Sequence, residues 1–283
     1  MASTATNPPP IRACLFDMDG LLLDTEDLYT KCINVVLAKY SRPNLPWSIK
    51  AKLQGRPAAE ATNIFHSWAD LPISNEEYLA EFSALQREHF PSAAPLPGVE
   101  KLLADLQRAR DGNDDEPTRK VHLALATSST QVNFKLKSSH LADLFSVFRP
   151  EHRVLGDDPR IPKGRGKPLP DIYLVALAAL NASLPEAEPE IRPEECLVFE
   201  DSVPGVEAGR RAGMQVVWVP HPMLKKEYEG REDEILAGRM GEAGDVADGG
   251  KVGEIGDGWG LYLETLENFP YDKYGIQIPS SSS

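Results

Sequence analysis

Short apolar runs alternate with helix-like patterns along most of the chain. Four runs are continuously apolar and end at polar or turn residues, namely 13–16, 122–126, 196–199 and 215–219, and a weaker run lies at 146–148. Strands of a parallel sheet show this pattern because helices cover both faces of the sheet. We therefore predict a strand at each of these positions.

Helical periodicity fills the stretches between the predicted strands. It covers residues 99–110, 131–141, 171–180 and 206–212. Alternation of strands and helices is typical of α/β proteins with a parallel sheet. The pattern predicts a Rossmann-like, doubly wound core.

One stretch, residues 24–95, is too long for a simple crossover and has no clear strand pattern. Tyr78, Leu79, Phe82 and Leu85 follow the i, i+1, i+4, i+7 spacing of one face of a helix. We predict a small all-helical domain at 24–95, inserted into a core made of residues 11–23 and 96–283.

Polar segments interrupt this order at four places. Residues 1–10 are Pro-rich and predict a disordered leader, and the closing serines 280–283 resemble them. Residues 111–120 predict a polar surface loop. Residues 230–260 hold ten of the 21 glycines and eight acids against three bases, which favours a flexible acidic loop without a site.

Composition and charge narrow the range of functions. With 41% hydrophobic and 26% charged residues, the 283-residue chain has a globular composition. The formal charge of -13 disfavours binding to nucleic acids and to anionic membrane surfaces, but allows a small anionic substrate held by a metal and local donors.

The cysteines and the lengths of the apolar runs indicate the cellular compartment in which the protein is expected. Cys14, Cys32 and Cys196 have no CxxC spacing, so neither a disulfide framework nor a zinc ribbon is expected. The longest apolar run spans 172–180, which is too short to cross a bilayer, and the first residues lack the pattern of a signal peptide. We expect a cytoplasmic monomer, able to enter the nucleus by diffusion.

Two carboxylates, Asp17 and Asp19, follow the first predicted strand. In extended backbone, residues two apart point the same way, so both face one pocket at the edge where α/β proteins bind ligands. Gly20 then allows a tight turn that presents amide groups to an anion. Such a pair needs a cation or a shared proton, which suits phosphoryl transfer; a turn or a helix cap is the alternative.

Three further motifs follow later elements. Thr127, Ser128 and Ser129 lie between a strand and a helix, where they form either a phosphate cradle or a helix N-cap. Lys167 precedes a helix and either neutralises phosphate and carboxylates or is a solvated loop lysine. Glu200 and Asp201 end a core strand, a position that favours metal binding over capping.

Taken together and in this order, the motifs DMDG, ATSS, GKPLPD and FEDS resemble those of the haloacid dehalogenase superfamily. The resemblance covers residues 11–222. Longer strings such as FDMDGLLLDTE, LALATSS and GKPLPDIYL resemble the pseudouridine-5'-phosphatase branch, which carries a small helical cap after the first strand. The predicted helical stretch 24–95 falls at that place.

For the chemical step, the resemblance implies two catalytic residues. Asp17 would attack phosphorus and form an aspartyl-phosphate, and Asp19 would protonate the leaving alcohol and then activate water. Thr127 and Lys167 would hold the phosphoryl oxygens, together with the amides of Met18, Asp19 and Ser128.

Magnesium is the implied cofactor. It would bind the Asp17 carboxylate, the Asp19 backbone carbonyl and Asp201, with Glu200 in or next to this set of ligands. On the cap, Gly55 and Arg56 lie where related caps reach the active site, so Arg56 would contact the leaving group; a solvated arginine at a helix start is the alternative. Thr25 and Glu26 need no role beyond the first turn of a helix.

The function expected from this resemblance is Mg²⁺-dependent hydrolysis of a small phosphomonoester, with pseudouridine 5'-phosphate as the first candidate. A glycerol-phosphate or deoxysugar-phosphate phosphatase and a sugar-phosphate mutase of the β-phosphoglucomutase kind are alternatives. A non-catalytic binding protein is disfavoured, because Asp17, Asp19, Thr127, Lys167 and Asp201 are all present.

Overall fold

A parallel sheet forms the centre of the computed structural model, which describes residues 8–111, 120–244, 246 and 248–279. Within these residues its six strands are β1 (Ala13–Phe16), β2 (His122–Ala126), β3 (Arg153–Val154), β4 (Cys196–Glu200), β5 (Gln215–Trp218) and β6 (Gly260–Tyr262). Their order is β3-β2-β1-β4-β5-β6, and every neighbouring pair is parallel. The strand order reverses direction between β1 and β4. In a doubly wound sheet, ligands bind at the carboxyl ends of the strands at such a point, so the carboxyl end of β1 marks the expected binding site.

Eleven α-helices accompany the sheet in the described part of the chain. They are α1 (Thr25–Lys39), α2 (Trp47–Leu53), α3 (Ala58–Ala69), α4 (Asn75–His89), α5 (Val99–Asp111), α6 (Gln131–Ser138), α7 (Ala142–Phe145), α8 (Asp171–Asn181), α9 (Val203–Arg211), α10 (Pro222–Glu227) and α11 (Glu232–Leu236). No helix in these ranges combines the length and the hydrophobicity needed to cross a lipid bilayer.

Alternate residues of β1 enter two different cores. Cys14 and Phe16 pack with α5 on one face, and Phe16 stacks on Phe199 with 4.4 Å between ring centroids. Ala13 and Leu15 pack with α8 and α9 on the other face. Burial on both faces explains the continuously apolar strands, and the predicted α/β fold with a Rossmann-like sheet is confirmed.

Helices α1 to α4 surround a third apolar cluster, which includes Ile33, Leu37, Phe65 and Tyr78. The chain enters and leaves this four-helix segment at one place. There the Asp24 N–H donates to the Ala94 carbonyl at 3.0 Å, and the Ala94 N–H donates to Asp24 Oδ1 at 2.7 Å. That the segment acts as a cap stays a prediction.

The weak strand predicted at 146–148 is wrong. Val147 and Phe148 lie in a turn after α7, where both are buried, and the Phe148 ring meets Phe16 edge-on at 5.7 Å. Burial within a turn thus produced an apolar run, and the strand that pairs with β2 lies at Arg153–Val154 instead.

The glycine-rich segment 230–260 contains regular structure that its composition did not indicate. Helix α11 lies within it, and β6 starts at its end. Residues 1–7 of the predicted leader, most of the predicted loop 111–120 and the closing serines lie outside the described residues. The three cysteines are buried free thiols.

Candidate active site

Three carboxylates meet at the carboxyl ends of β1 and β4. Asp17 follows β1, Glu200 ends β4 and Asp201 comes next, and the Asp17 N–H donates to the Phe199 carbonyl at 3.0 Å. Because the two strands are neighbours, oxygen atoms of the three side chains lie within 4.8 Å of one another, and all three are buried. This is a strong concentration of negative charge in a dry environment.

Lys167 lies among these carboxylates, fully buried. Its ammonium forms ion pairs with Asp17 and, at 2.6 Å, with Glu200. Burial alone would lower the pKa of Lys167, but the two carboxylates raise it above its usual value, so the side chain stays charged. The alternative of a solvated loop lysine is wrong.

Protein donors satisfy both oxygens of Glu200. The Tyr173 hydroxyl donates to Oε1 at 2.5 Å, and Oε2 accepts from the Ser202 hydroxyl at 3.0 Å and from the Asp201 N–H at 3.1 Å. These hydrogen bonds therefore fix the Glu200 carboxylate in its position next to the Lys167 ammonium.

One lysine does not balance this cluster. Burial, followed by Glu200, Glu26 and Asp17, raises the pKa of Asp201 well above its usual value; its Oδ2 accepts from Gln54 Nε2 at 3.1 Å. Burial also raises the pKa of Asp17 to about 7, with Lys167 opposing and Glu200 and Asp19 adding to the shift. Buried oxygen ligands with excess negative charge fit a hard divalent cation, which would relieve this repulsion.

Asp19 has a different environment from Asp17. Its carboxylate accepts from Thr25 Oγ1 at 2.7 Å, from Ser129 Oγ at 2.6 Å and from Lys137 Nζ at 2.5 and 2.7 Å. Burial acts to raise the pKa of Asp19, but the Lys137 ammonium and these hydrogen bonds lower it below its usual value. The pKa shifts of the two acids thus go in opposite directions: Asp17 keeps a proton more readily than an ordinary aspartate, and Asp19 less readily.

The sequence did not indicate two of the donors to Asp19. From the sequence, Thr25 needs no role beyond the first turn of α1, and Lys137 belongs to none of the four motifs. A pattern for Lys137 does exist: with Phe134 and Ser138 it lies on the buried side of α6, so it is a lysine on an apolar helix face.

The hydroxyls after β2 do not cap α6. Its N-cap is Thr130, whose side chain makes no capping bond. Ser128 Oγ instead donates to the Gly55 carbonyl at 2.9 Å, and Thr127 Oγ1 accepts from the Ser129 N–H at 3.2 Å. The N-cap alternative for Ser128 and Ser129 is wrong.

A tight loop, residues 54–57, lies between α2 and α3 in the four-helix segment and contacts the core. Gly55 has a φ of 71°, and a Cβ there would lie 2.1 Å from Ser202 Oγ, so only glycine fits. The Arg56 side chain is 10% exposed and pairs with Glu60 at 2.5 Å and with Glu242. A solvated helix-start arginine is therefore wrong, although the partners that Arg56 has here are carboxylates of the chain itself.

A cavity of about 370 Å³ lies between this segment and the sheet. Six predicted site residues line it: Asp17, Asp19, Gly55, Arg56, Thr127 and Ser128. Tyr29, Phe65, Tyr78 and Phe82 form much of the opposite wall. The buried Met18, Lys167, Glu200 and Asp201 do not line the cavity.

The sequence and the fold are similar to those of known hydrolases and phosphatases. A family model for haloacid dehalogenase-like hydrolases matches residues 11–213. The "Probable pseudouridine-5'-phosphatase" of Saccharomyces cerevisiae is 39% identical over 271 residues, covering 96% of this chain and all of that protein. Glycerol-3-phosphatase 1 of Arabidopsis thaliana is 36% identical, covering 79% of this chain and 68% of that protein. The crystal structure of CbbY from Rhodobacter sphaeroides with phosphate is 25% identical at a TM-score of 0.55, covering 75% of this chain and 87% of that one.

The parallel sheet and the buried carboxylate–lysine cluster at its carboxyl edge define an α/β enzyme. The chain belongs to the haloacid dehalogenase-like hydrolases.

Proposed function

We propose that this protein is a Mg²⁺-dependent phosphatase that hydrolyses a small phosphomonoester through an aspartyl-phosphate on Asp17. The observation that carries the proposal is the cavity at the end of β1, which Asp17 and Asp19 both line, each with a buried lysine of its own: Lys167 pairs with Asp17 and Lys137 with Asp19. The relatives named as phosphatases support the same class of reaction.

The phosphoryl group would be held by donors that the fold leaves available. Within the described ranges, the N–H groups of Met18, Asp19 and Ser128 donate to no protein acceptor. The Thr127 hydroxyl accepts one bond and keeps its own proton for donation. Lys167 lies against Asp17, so its charge offsets that of the incoming phosphate.

The donor set fits a bound magnesium ion. The Asp17 and Asp201 carboxylates and the Asp19 backbone carbonyl would hold it, while Glu200 keeps Lys167 and the backbone after β4 in place. When bound, the ion supplies positive charge that allows a phosphate dianion to approach these carboxylates.

Two steps then complete the hydrolysis. An Asp17 oxygen attacks phosphorus, the bond from phosphorus to the ester oxygen breaks, and that oxygen takes a proton from Asp19, which must enter this step in its protonated form. Water next attacks the aspartyl-phosphate and gives a proton to Asp19, which releases phosphate and restores the Asp17 carboxylate. In the structure Asp19 accepts from three side chains, which is the ionised form needed to accept the proton from water.

Pseudouridine 5'-phosphate is our first choice of substrate. The yeast relative is similar over nearly the whole chain, and the aromatic wall of Tyr29, Phe65 and Phe82 suits a flat leaving group. Glycerol phosphate is the second candidate because of the Arabidopsis relative. The four-helix segment supplies that wall, so we assign it the role of a cap that selects the substrate.

The oligomeric state and the cellular location of the protein are also inferred. We infer a monomeric enzyme acting on a small phosphorylated metabolite in the cytoplasm. Three buried free thiols agree with a reducing compartment, and the net charge of -13 gives no general attraction to nucleic acids or anionic lipids.

A phosphate-release screen over nucleotides and sugar phosphates, with Asp17→Asn and Asp19→Asn as variants, tests this function. We expect release by the wild type only with Mg²⁺ and no isomerised sugar phosphate. From p-nitrophenyl phosphate, Asp19→Asn should accumulate hydroxylamine-sensitive phosphoenzyme, because an activated leaving group needs little protonation while hydrolysis lacks its base, a loss on the order of 10²–10⁴ in rate. Asp17→Asn should show no labelling. Equal labelling of both variants would overturn the assignment.

A further inference from the structure

Lys137 is a buried lysine that is separate from the cluster around Asp17. It lies on α6 and is fully buried. Its ammonium contacts Ser129 Oγ at 2.5 Å and both carboxylate oxygens of Asp19 at 2.5 and 2.7 Å. The rings of Tyr29 and Phe90 lie 5.3 and 5.2 Å from Nζ and enclose it.

Burial of the Lys137 ammonium in this position lowers the stability of the folded protein unless its partners compensate. Removing an ammonium from water is offset only by close charged and polar partners, and an apolar residue of similar length avoids the cost. Neighbouring Phe134 shows that this face of α6 readily buries apolar side chains. Of the groups around Lys137, Asp19 is the one that carries a negative charge within hydrogen-bond distance.

The geometry of the contact suggests what Lys137 does. Thr25 reaches only Oδ1 of Asp19 and Ser129 reaches only Oδ2, whereas Lys137 contacts both oxygens. The last bond of an aspartate has a broad torsional preference, so the partners of the carboxylate set its plane. Thr25 and Ser129 are neutral donors to one oxygen each, and Ser129 is itself held by Lys137 at 2.5 Å. A cation that bridges both oxygens fixes the plane of the group.

We propose that Lys137 is a positioning residue that fixes the orientation of the Asp19 carboxylate for proton transfer. The inference rests on the proposed function. Lys137 does not line the cavity, so it acts through Asp19 and not on the substrate. Misplacing a general acid/base slows the steps that move a proton and leaves binding of the ester largely unchanged.

Lys137→Met tests this inference, with Lys135→Met as the matched control on the exposed side of the same helix. For an alkyl phosphomonoester we expect kcat to fall on the order of 10- to 100-fold in Lys137→Met, part of the general acid/base contribution, with KM within about threefold. From p-nitrophenyl phosphate, the variant should accumulate phosphoenzyme, as Asp19→Asn does. Lys135→Met should match the wild type.

A double-mutant cycle separates positioning from a general structural effect. In the Asp19→Asn background, Lys137→Met should lower the remaining activity by less than about twofold, because its effect passes through Asp19. Multiplicative losses in the double variant, or wild-type kcat in Lys137→Met, would overturn the inference while the phosphatase assignment stands.

Thermal unfolding of each variant shows whether the variant is folded. If Lys137→Met does not fold, Ser129→Ala provides the test, since Ser129 contacts both Lys137 and Asp19. It should give a smaller loss of kcat with the same unchanged KM, and an unaltered kcat would overturn the inference. A wild type that hydrolyses no phosphomonoester with Mg²⁺ would overturn the proposed function as well.

Discussion

Arg56 and Glu242 form an ion pair between the loop after α2 and the segment that follows α11. The backbone holds Glu242 in place, because the N–H groups of Glu242 and Ala243 donate to the buried Glu207 carboxylate at 2.9 and 3.0 Å. The acidic segment that the sequence suggested to be without a site thus reaches a residue that lines the cavity.

The first prediction concerns substrates whose leaving group carries a second acid. If Arg56 contacts the leaving group as proposed, such a group competes in the wild type with Glu242 for the Arg56 guanidinium. Glu242→Gln should therefore lower KM severalfold for acidic phosphomonoesters and leave KM for neutral ones nearly unchanged, and Arg56→Ala should remove this difference. Steady-state kinetics on matched pairs of esters measures it. Glu234→Gln, which alters an exposed pair with Arg231 in the same region, is the control. A common change for every ester would contradict the prediction.

The second prediction concerns Gly55. In Gly55→Ala the new Cβ would lie 2.1 Å from Ser202 Oγ at a φ of 71°, so both strain and overlap oppose it. Gly164→Ala carries the strain alone, because Gly164 has a φ of 80° and nothing within 4 Å of the added atom. We expect a loss of about 1 kcal/mol of unfolding free energy for Gly164→Ala and about 1–3 kcal/mol more for Gly55→Ala. Denaturant titration measures both losses, and equal values would contradict the close contact.

The third prediction uses stability to examine the metal site without any activity assay. Asp201 adds a buried like charge beside Asp17 and Glu200. In chelator, Asp201→Asn should unfold at a higher temperature than the wild type, because that repulsion is reduced. With Mg²⁺ the wild type should be stabilised and the variant much less so. Equal stabilisation of both proteins by Mg²⁺ would exclude Asp201 as a ligand.

The fourth prediction is the pH dependence of that stabilisation. The pKa of Asp17 is raised from 3.8 to about 7, so between these values the folded metal-free protein binds more protons than the unfolded chain. Its stability in chelator should then fall as pH rises from about 4 to about 7. Mg²⁺ competes with this proton, so its affinity should increase over the same range. Calorimetric titration with Mg²⁺ at pH 6 and pH 8 tests the sign, and Asp17→Asn should flatten the dependence.

The sequence predicted the central strands because both of their faces are buried. The edge strands have no such pattern: β3 has two residues, and β6 lies at the end of a glycine-rich stretch with only partly buried side chains. Turn residues Val147 and Phe148 are fully apolar and gave a false strand.

The same distinction applies to the site. Short motifs were enough to predict five site residues, because each follows or adjoins a core element: Asp17, Asp19, Thr127, Lys167 and Asp201. Contacts that depend on how distant parts pack were not found in this way. Lys137 and Asp19 are 118 residues apart, Gln54 and Asp201 are 147 apart, and Arg56 and Glu242 are 186 apart. No local spacing encodes such pairs.

The paired crossing at Asp24 and Ala94 has a consequence for how this enzyme can change. The chain leaves the core and returns to it at adjacent points. The four-helix segment between these points can therefore be exchanged as one unit, while the order of the strands in the sheet stays the same. A different segment at this place would give the same cavity new walls, while the carboxyl ends of β1 and β4 would keep the proposed nucleophile Asp17 and the carboxylates beside it. Under the proposed function, most groups that perform the reaction and the walls that select the substrate are encoded in separate stretches of the chain, with Thr25 and Gln54 making contacts between the two. Exchange of the four-helix segment would then direct the same reaction to another ester.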